Sequence, residues 1–218
     1  MKSNWQILYA IVSLTVCVAI LFGQTTLYLA AKPFLMITLL LYFVSASKGY
    51  PEWRNMVMLA LVFSWGGDVL LIWNDLFLVG LGSFLIAHIF YIIAYQKTGA
   101  AQGTLTRIDV AKLGIIGAVM IGILLPHLGS LLIPVVVYTM VLLLMGLWAH
   151  KRRGATSSLS FRLVSSGALL FVFSDAVIAI NRFVVELHAE RILVMSTYIV
   201  AQYLIVHGLL QHDKNVSS

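Results

Sequence analysis

Charge is scarce in this chain. Asp, Glu, Lys and Arg make up 10% of its 218 residues, hydrophobic residues 61%, and the mean hydropathy is +0.99. Soluble domains carry about 25% charged residues, so the composition excludes an ordinary water-soluble domain. Cysteine is reduced to Cys17, which excludes an internal disulfide and a Cys-based metal site; inside an apolar run it reads as a small filler. The sequence also has no HExxH, no Gly-rich phosphate loop and no GxSxG. Of the six His, no two sit four apart in one apolar segment. No metal and no other cofactor is expected.

What is present is a series of long apolar runs. A helix needs roughly 20 mostly apolar residues to cross about 30 Å of hydrocarbon. Eight segments qualify, near 5–22, 28–46, 55–73, 77–96, 110–125, 131–150, 161–181 and 190–211. They predict an all-α polytopic membrane protein, one eight-helix domain over 1–218. The run after Lys2 is too long for a signal peptide core and reads as the first span. The connections 97–109 and 151–160 read as plain cytoplasmic linkers, and the tail DKNVSS as frayed.

With eight spans, both termini and the even-numbered connections share one side. That side collects 11 of the 14 Lys and Arg residues, from Lys2 and Lys48 through the Lys151-Arg152-Arg153 run to Lys214. The positive-inside rule places it in the cytoplasm. The net charge of +6 is then a matter of topology and calls for no nucleic-acid partner. Short loops and a basic inner face suit a bacterial inner membrane, and the basic face suits anionic lipid. Nothing in the sequence indicates an oligomeric state.

Two carboxylates break the apolar pattern: Asp68 in FSWGGDVLLI and Asp175 in FSDAVIAINRF. They lie 107 residues apart, and at that offset Asn74 matches Asn181, Tyr91 matches Tyr198, Ile92 matches Ile199 and Ala94 matches Ala201. The offset suggests a duplicated four-helix unit, with parallel halves 1–109 and 110–218.

An ionisable group deep in a membrane helix costs a few kcal/mol and persists where it meets a partner or a wet cavity. Asp68 lies thirteen residues past Asn55, and Asp175 fourteen past Phe161. Both carboxylates are therefore expected roughly 20 Å from the inner surface at 1.5 Å per residue. Lys32, Tyr138, Asn181, Arg182, Tyr198 and Gln202 fall in the same outer layer, with His88 at mid-span. Other readings stand beside a shared site. The aspartates would serve as structural partners of Lys32 or Arg182, His88 and the tyrosines as packing, Gln202 as interhelical glue and Arg182 as a snorkelling interface residue.

Taken with AKPFLMITLL, FLVGLGSFLIAHIFYI and TYIVAQYLIV, the two aspartate motifs resemble the YhhN-like lysoplasmalogenase family of membrane proteins. The resemblance runs from about Lys32 to His207. It implies hydrolysis of the vinyl-ether bond of a lysoplasmalogen to a fatty aldehyde and glycerophospho-ethanolamine or -choline. Asp68 and Asp175 would be the catalytic pair, and Lys32, Asn181, Arg182 and Phe183 match the family's other motif residues. The chemistry is compatible: a vinyl ether needs one acid to protonate carbon and one carboxylate to stabilise the cation or direct water. Lys32 or Arg182 would anchor phosphate, while Tyr138, Tyr198, Gln202, Asn181 and His88 would contact the substrate. The rival reading is a proton-coupled transporter or permease using the same intramembrane carboxylates.

Overall fold

The computed structural model describes residues 2–47, 49 and 51–212, with the side chains of Lys2, Ser3 and Pro51 left aside. Lys48, Lys214 and the tail DKNVSS therefore lie outside the described residues. The described chain forms eight α-helices: α1 (Lys2–Leu21), α2 (Thr25–Ala46), α3 (Pro51–Leu70), α4 (Phe77–Tyr95), α5 (Arg107–Leu124), α6 (Leu132–Lys151), α7 (Ser158–Phe183) and α8 (Glu190–Leu210). Seven are long and apolar enough to cross a membrane. The chain is an all-helical, multi-pass membrane protein. The helix outside the seven is α3, whose 20 residues include Glu52, Arg54 and Asp68.

Local signals explain several boundaries. Pro51 opens α3, where its missing N–H costs no intrahelical bond. The short fifth apolar run is extended back to Arg107 by a capping box: the Thr106 hydroxyl accepts from the Asp109 N–H at 3.2 Å, and the Thr106 N–H donates to Asp109 Oδ2 at 3.1 Å. Ser157 caps α7 by accepting from the Ser160 N–H at 3.1 Å.

Two compact units divide the chain, residues 1–94 and 95–218. In the N-terminal unit α2 packs against both α1 and α3, burying Leu35, Met36, Leu39 and Phe43. The Phe43 and Trp53 rings meet at 5.7 Å between centroids. α3 and α4 approach closely because Gly66 and Gly67 present no side chain: a Cβ on Gly66 would lie 2.9 Å from Ser83 Oγ, and one on Gly67 would run into the Phe84 ring. Ser83 Oγ also donates to the Phe63 carbonyl at 2.6 Å.

In the C-terminal unit the closest pairing is α7 with α8. Gly167 faces the Ala201 carbonyl and Gly208 faces Val164, each leaving under 3 Å for a Cβ. Small residues at a helix seam let backbones approach, the main source of helix association in lipid. Outward rows such as Ile115, Val119, Met140, Phe173 and Val200 are exposed, as lipid-facing surface should be.

The two connections read as plain linkers are built into this unit. Gln96–Ala100 forms a π-helical turn with Gly99 at φ 102°. Gly103 lies so close to the Lys151 carbonyl that no Cβ fits, and the Thr104 N–H donates to the Arg153 carbonyl at 3.0 Å. Arg152 is fully buried. Its guanidinium donates to the Thr98 carbonyl at 3.0 Å, to the Thr98 hydroxyl and to Ser160 Oγ at 2.8 Å, and lies over the Tyr95 ring. Ser160 Oγ in turn donates to the Gly208 carbonyl at 2.6 Å. An arginine fork satisfies several acceptors at once, so the cation serves as an internal tie.

Candidate active site

Asp68 and Asp175 occupy corresponding places. Each stands on the third helix of its unit, seventeen residues past the first residue of that helix, from 51 to 68 and from 158 to 175. At 1.5 Å per residue both are about 25 Å along the helix.

In the N-terminal unit Asp68 is 3% exposed, one turn beyond the fully buried Ser64. Lys32 is buried on α2 beside Pro33, whose ring removes the N–H that would bond the carbonyl four residues back. Its ammonium lies 5.9 Å from the centroid of the Tyr28 ring, within cation–π range. His88 on α4 is fully buried.

In the C-terminal unit the Tyr138 hydroxyl on α6 donates a hydrogen bond to Asp175 Oδ2 on α7. Tyr138 is 7% exposed and Asp175 partly buried. One turn before Asp175, Phe171 meets the Tyr198 ring edge-on at 5.4 Å. Tyr198 Oη accepts from Gln202 Nε2 at 3.3 Å, and Gln202 is fully buried. Ser174 Oγ is engaged elsewhere, donating to the Val194 carbonyl at 3.2 Å and holding α7 to α8. The Asn181 side-chain carbonyl accepts from the Leu187 N–H at 2.8 Å and fixes the turn after α7. Arg182 is exposed, and Phe183 packs on a cluster of Leu124, Leu128 and Val135.

The C-terminal unit thus sets a carboxylate beside a hydroxyl donor, and a second tyrosine beside a buried amide. The YhhN family model matches residues 27–209, which includes every residue named above. The chain belongs to the YhhN family. A relative from Mus musculus, named lysoplasmalogenase TMEM86B, is 35% identical over 83% of this chain and 74% of its own length. Human lysoplasmalogenase TMEM86A is 35% identical over 73% of this chain and 67% of its own. A protein of Mycobacterium bovis, named lysoplasmalogenase, is 34% identical over 71% of this chain and 60% of its own. No solved structure matches the chain.

Within this family member the structure joins some of the expected site residues directly: Tyr138 with Asp175, and Gln202 with Tyr198. Asp68, Lys32 and His88 belong to the N-terminal unit, and the others to the C-terminal one. Sequence reasoning passed over Phe171, the wall beneath Tyr198. Its spacing of four from Asp175, which puts both on one helix face, was the available signal.

Proposed function

We propose that this membrane hydrolase cleaves the vinyl-ether bond of a lysoplasmalogen, releasing a fatty aldehyde and glycerophospho-ethanolamine or -choline. Asp68 and Asp175 act as the acid/base pair. The observation that carries the reading is the matched placing of these two carboxylates, one buried and the other bonded to Tyr138, in a chain whose relatives bear the lysoplasmalogenase name.

Asp175 accepts a hydroxyl hydrogen bond, an arrangement that suits an ionised carboxylate. The acid role then falls to Asp68. Asp68 gives its proton to the β-carbon of the vinyl ether, leaving an oxocarbenium ion that the Asp175 carboxylate stabilises. Water adds to the cationic carbon and passes a proton to Asp175. The hemiacetal then collapses: its hydroxyl proton goes to Asp68, and the departing glycerol oxygen takes the proton held by Asp175. Both carboxyl groups end as they began, as in glycosidases that divide acid and base work between two carboxylates.

The alkenyl chain lies among apolar helices, with Lys32 or Arg182 holding the phosphate. Tyr138, Tyr198, Gln202, Asn181 and His88 complete the substrate contacts. The halves 1–109 and 110–218 descend from a duplicated four-helix segment, which accounts for the like placing of the aspartates. The host membrane is a bacterial inner membrane, with both termini in the cytoplasm.

The test is aldehyde release from a lysoplasmalogen by purified protein in detergent. Asp68→Asn and Asp175→Asn are each expected to lower kcat by about a hundredfold or more, the scale of losing a general acid or base, with helical circular dichroism unchanged. Full activity in both folded variants would make the carboxylates structural.

A further inference from the structure

A second feature of the C-terminal unit plays no part in that chemistry. Beside the last turn of α6, a groove of about 550 Å³ runs along the N-terminal halves of α5 and α7, with Lys112, Arg153 and Arg162 toward the helix ends. Asp109 is its one acidic lining residue. That carboxylate is already engaged by Arg153 Nη2 at 2.9 Å and by the Thr106 cap. Neither Lys112 nor Arg162 pairs with a carboxylate among the described residues. Arg153 Nε is buried without a hydrogen-bond partner among them. The polar end of the groove is therefore cationic, with donors to spare.

Beside His150, Ser165 and Ser166, the rest of the lining is apolar: Leu113, Ile115, Ile116, Phe161 and Leu169. Ile115 is 63% exposed and Leu169 38%, on helices long and apolar enough to span the membrane. A free phosphate would satisfy the cations and leave this wall bare. A phospholipid would cover both, its phosphate at the basic end and an acyl chain along α5 and α7.

The occupant is not the lysoplasmalogen undergoing hydrolysis. Arg162 and Asp175 lie on one helix thirteen residues apart, about 20 Å at 1.5 Å per residue. A lysoplasmalogen carries its phosphate and its vinyl ether on one glycerol, only a few bonds apart. With the phosphate on Arg162, the ether cannot reach Asp175.

We propose that this groove binds an anionic phospholipid of the basic-side leaflet as a resident lipid, held through its phosphate by Lys112, Arg153 and Arg162. Juxtamembrane basic residues attract anionic lipid strongly enough for two of them to set a clear headgroup preference.

The experiment is native mass spectrometry of the purified full chain in detergent with equal amounts of phosphatidylglycerol and phosphatidylcholine. The wild type is expected to keep phosphatidylglycerol about tenfold better. Lys112→Gln with Arg162→Gln should bring the two lipids near parity. Lys97→Gln with Arg107→Gln, an equal loss of charge outside the groove, should leave the preference intact. Circular dichroism checks each variant, and Arg162→Gln alone is read if the groove pair does not fold. Millimolar inorganic phosphate should not displace the lipid. No headgroup preference in the wild type, the same loss in both double variants, or displacement by phosphate alone would each overturn the proposal. The readout is binding, so its outcome does not depend on the fate of the hydrolysis reading.

Discussion

Tyr138 and Asp175 stand 37 positions apart on different helices, and the hydroxyl of one is held against the carboxylate of the other. A hydrogen bond to a charged group contributes about 1.5–3 kcal/mol, enough to decide where that carboxylate points. Tyr138→Phe removes the oxygen and little else. It should lower kcat roughly tenfold to a hundredfold, since in the proposed reaction the bond positions the carboxylate that stabilises the cation. Steady-state aldehyde kinetics beside circular dichroism would check this, and unchanged kcat would reduce the bond to helix glue. The two aspartates were legible in the sequence because any charge in an apolar run stands out. The partnership was not: Tyr138 is one of nine tyrosines, and no spacing rule relates a residue of α6 to one of α7. The contact of Lys32 with the face of Tyr28, one turn earlier on the same helix, was likewise not singled out in the sequence.

At the level of elements, the helices were readable from apolar run length and their ends were less so. A capping box extends α5 and a serine cap opens α7, and both signals lie in the polar stretches read as linkers. The larger surprise is Arg152, which looked like one of three loop charges. Runs of basic residues at a helix end are normally solvated and record topology; only the fold reveals that the middle member turns inward. Through Thr98, Ser160 and the Gly208 carbonyl it ties the π-helical turn after α4 to the start of α7 and the end of α8. Arg152→Leu leaves the Thr98 and Ser160 acceptors without their donor in a dry setting. It is expected to cost about 2–3 kcal/mol, read as a lower melting temperature in detergent, while the neighbouring half-exposed Arg153→Leu costs less. Equal melting of the two variants would show that burial of Arg152 contributes nothing special.

For the molecule as a whole, orientation turns on α3. Its ends carry Glu52, Arg54 and Asp68, yet its middle from Met56 to Phe63 is apolar, and twenty residues rise about 30 Å, the thickness of the hydrocarbon. Glu52 and Arg54 fall in the first turn, where long side chains reach the interface, and Asp68 lies two residues from the other end, so no charge falls between them. A helix of this pattern crosses if its carboxylate is sheltered, and Asp68 is buried. Parity follows. With α3 crossing, the α1–α2 turn and the segment after α4 lie on opposite sides; with α3 lying along the surface, they share one. In a Cys17→Ser background, Gln24→Cys and Glu186→Cys should react with a membrane-impermeant maleimide from outside intact cells. Gln102→Cys should react only after permeabilisation. All three positions are loop or turn residues, with Gln24, Gln102 and Glu186 exposed. Labelling of Gln24→Cys and Gln102→Cys from the same side would take α3 out of the membrane. The proposed role of Asp68 as an acid within the membrane would then fall.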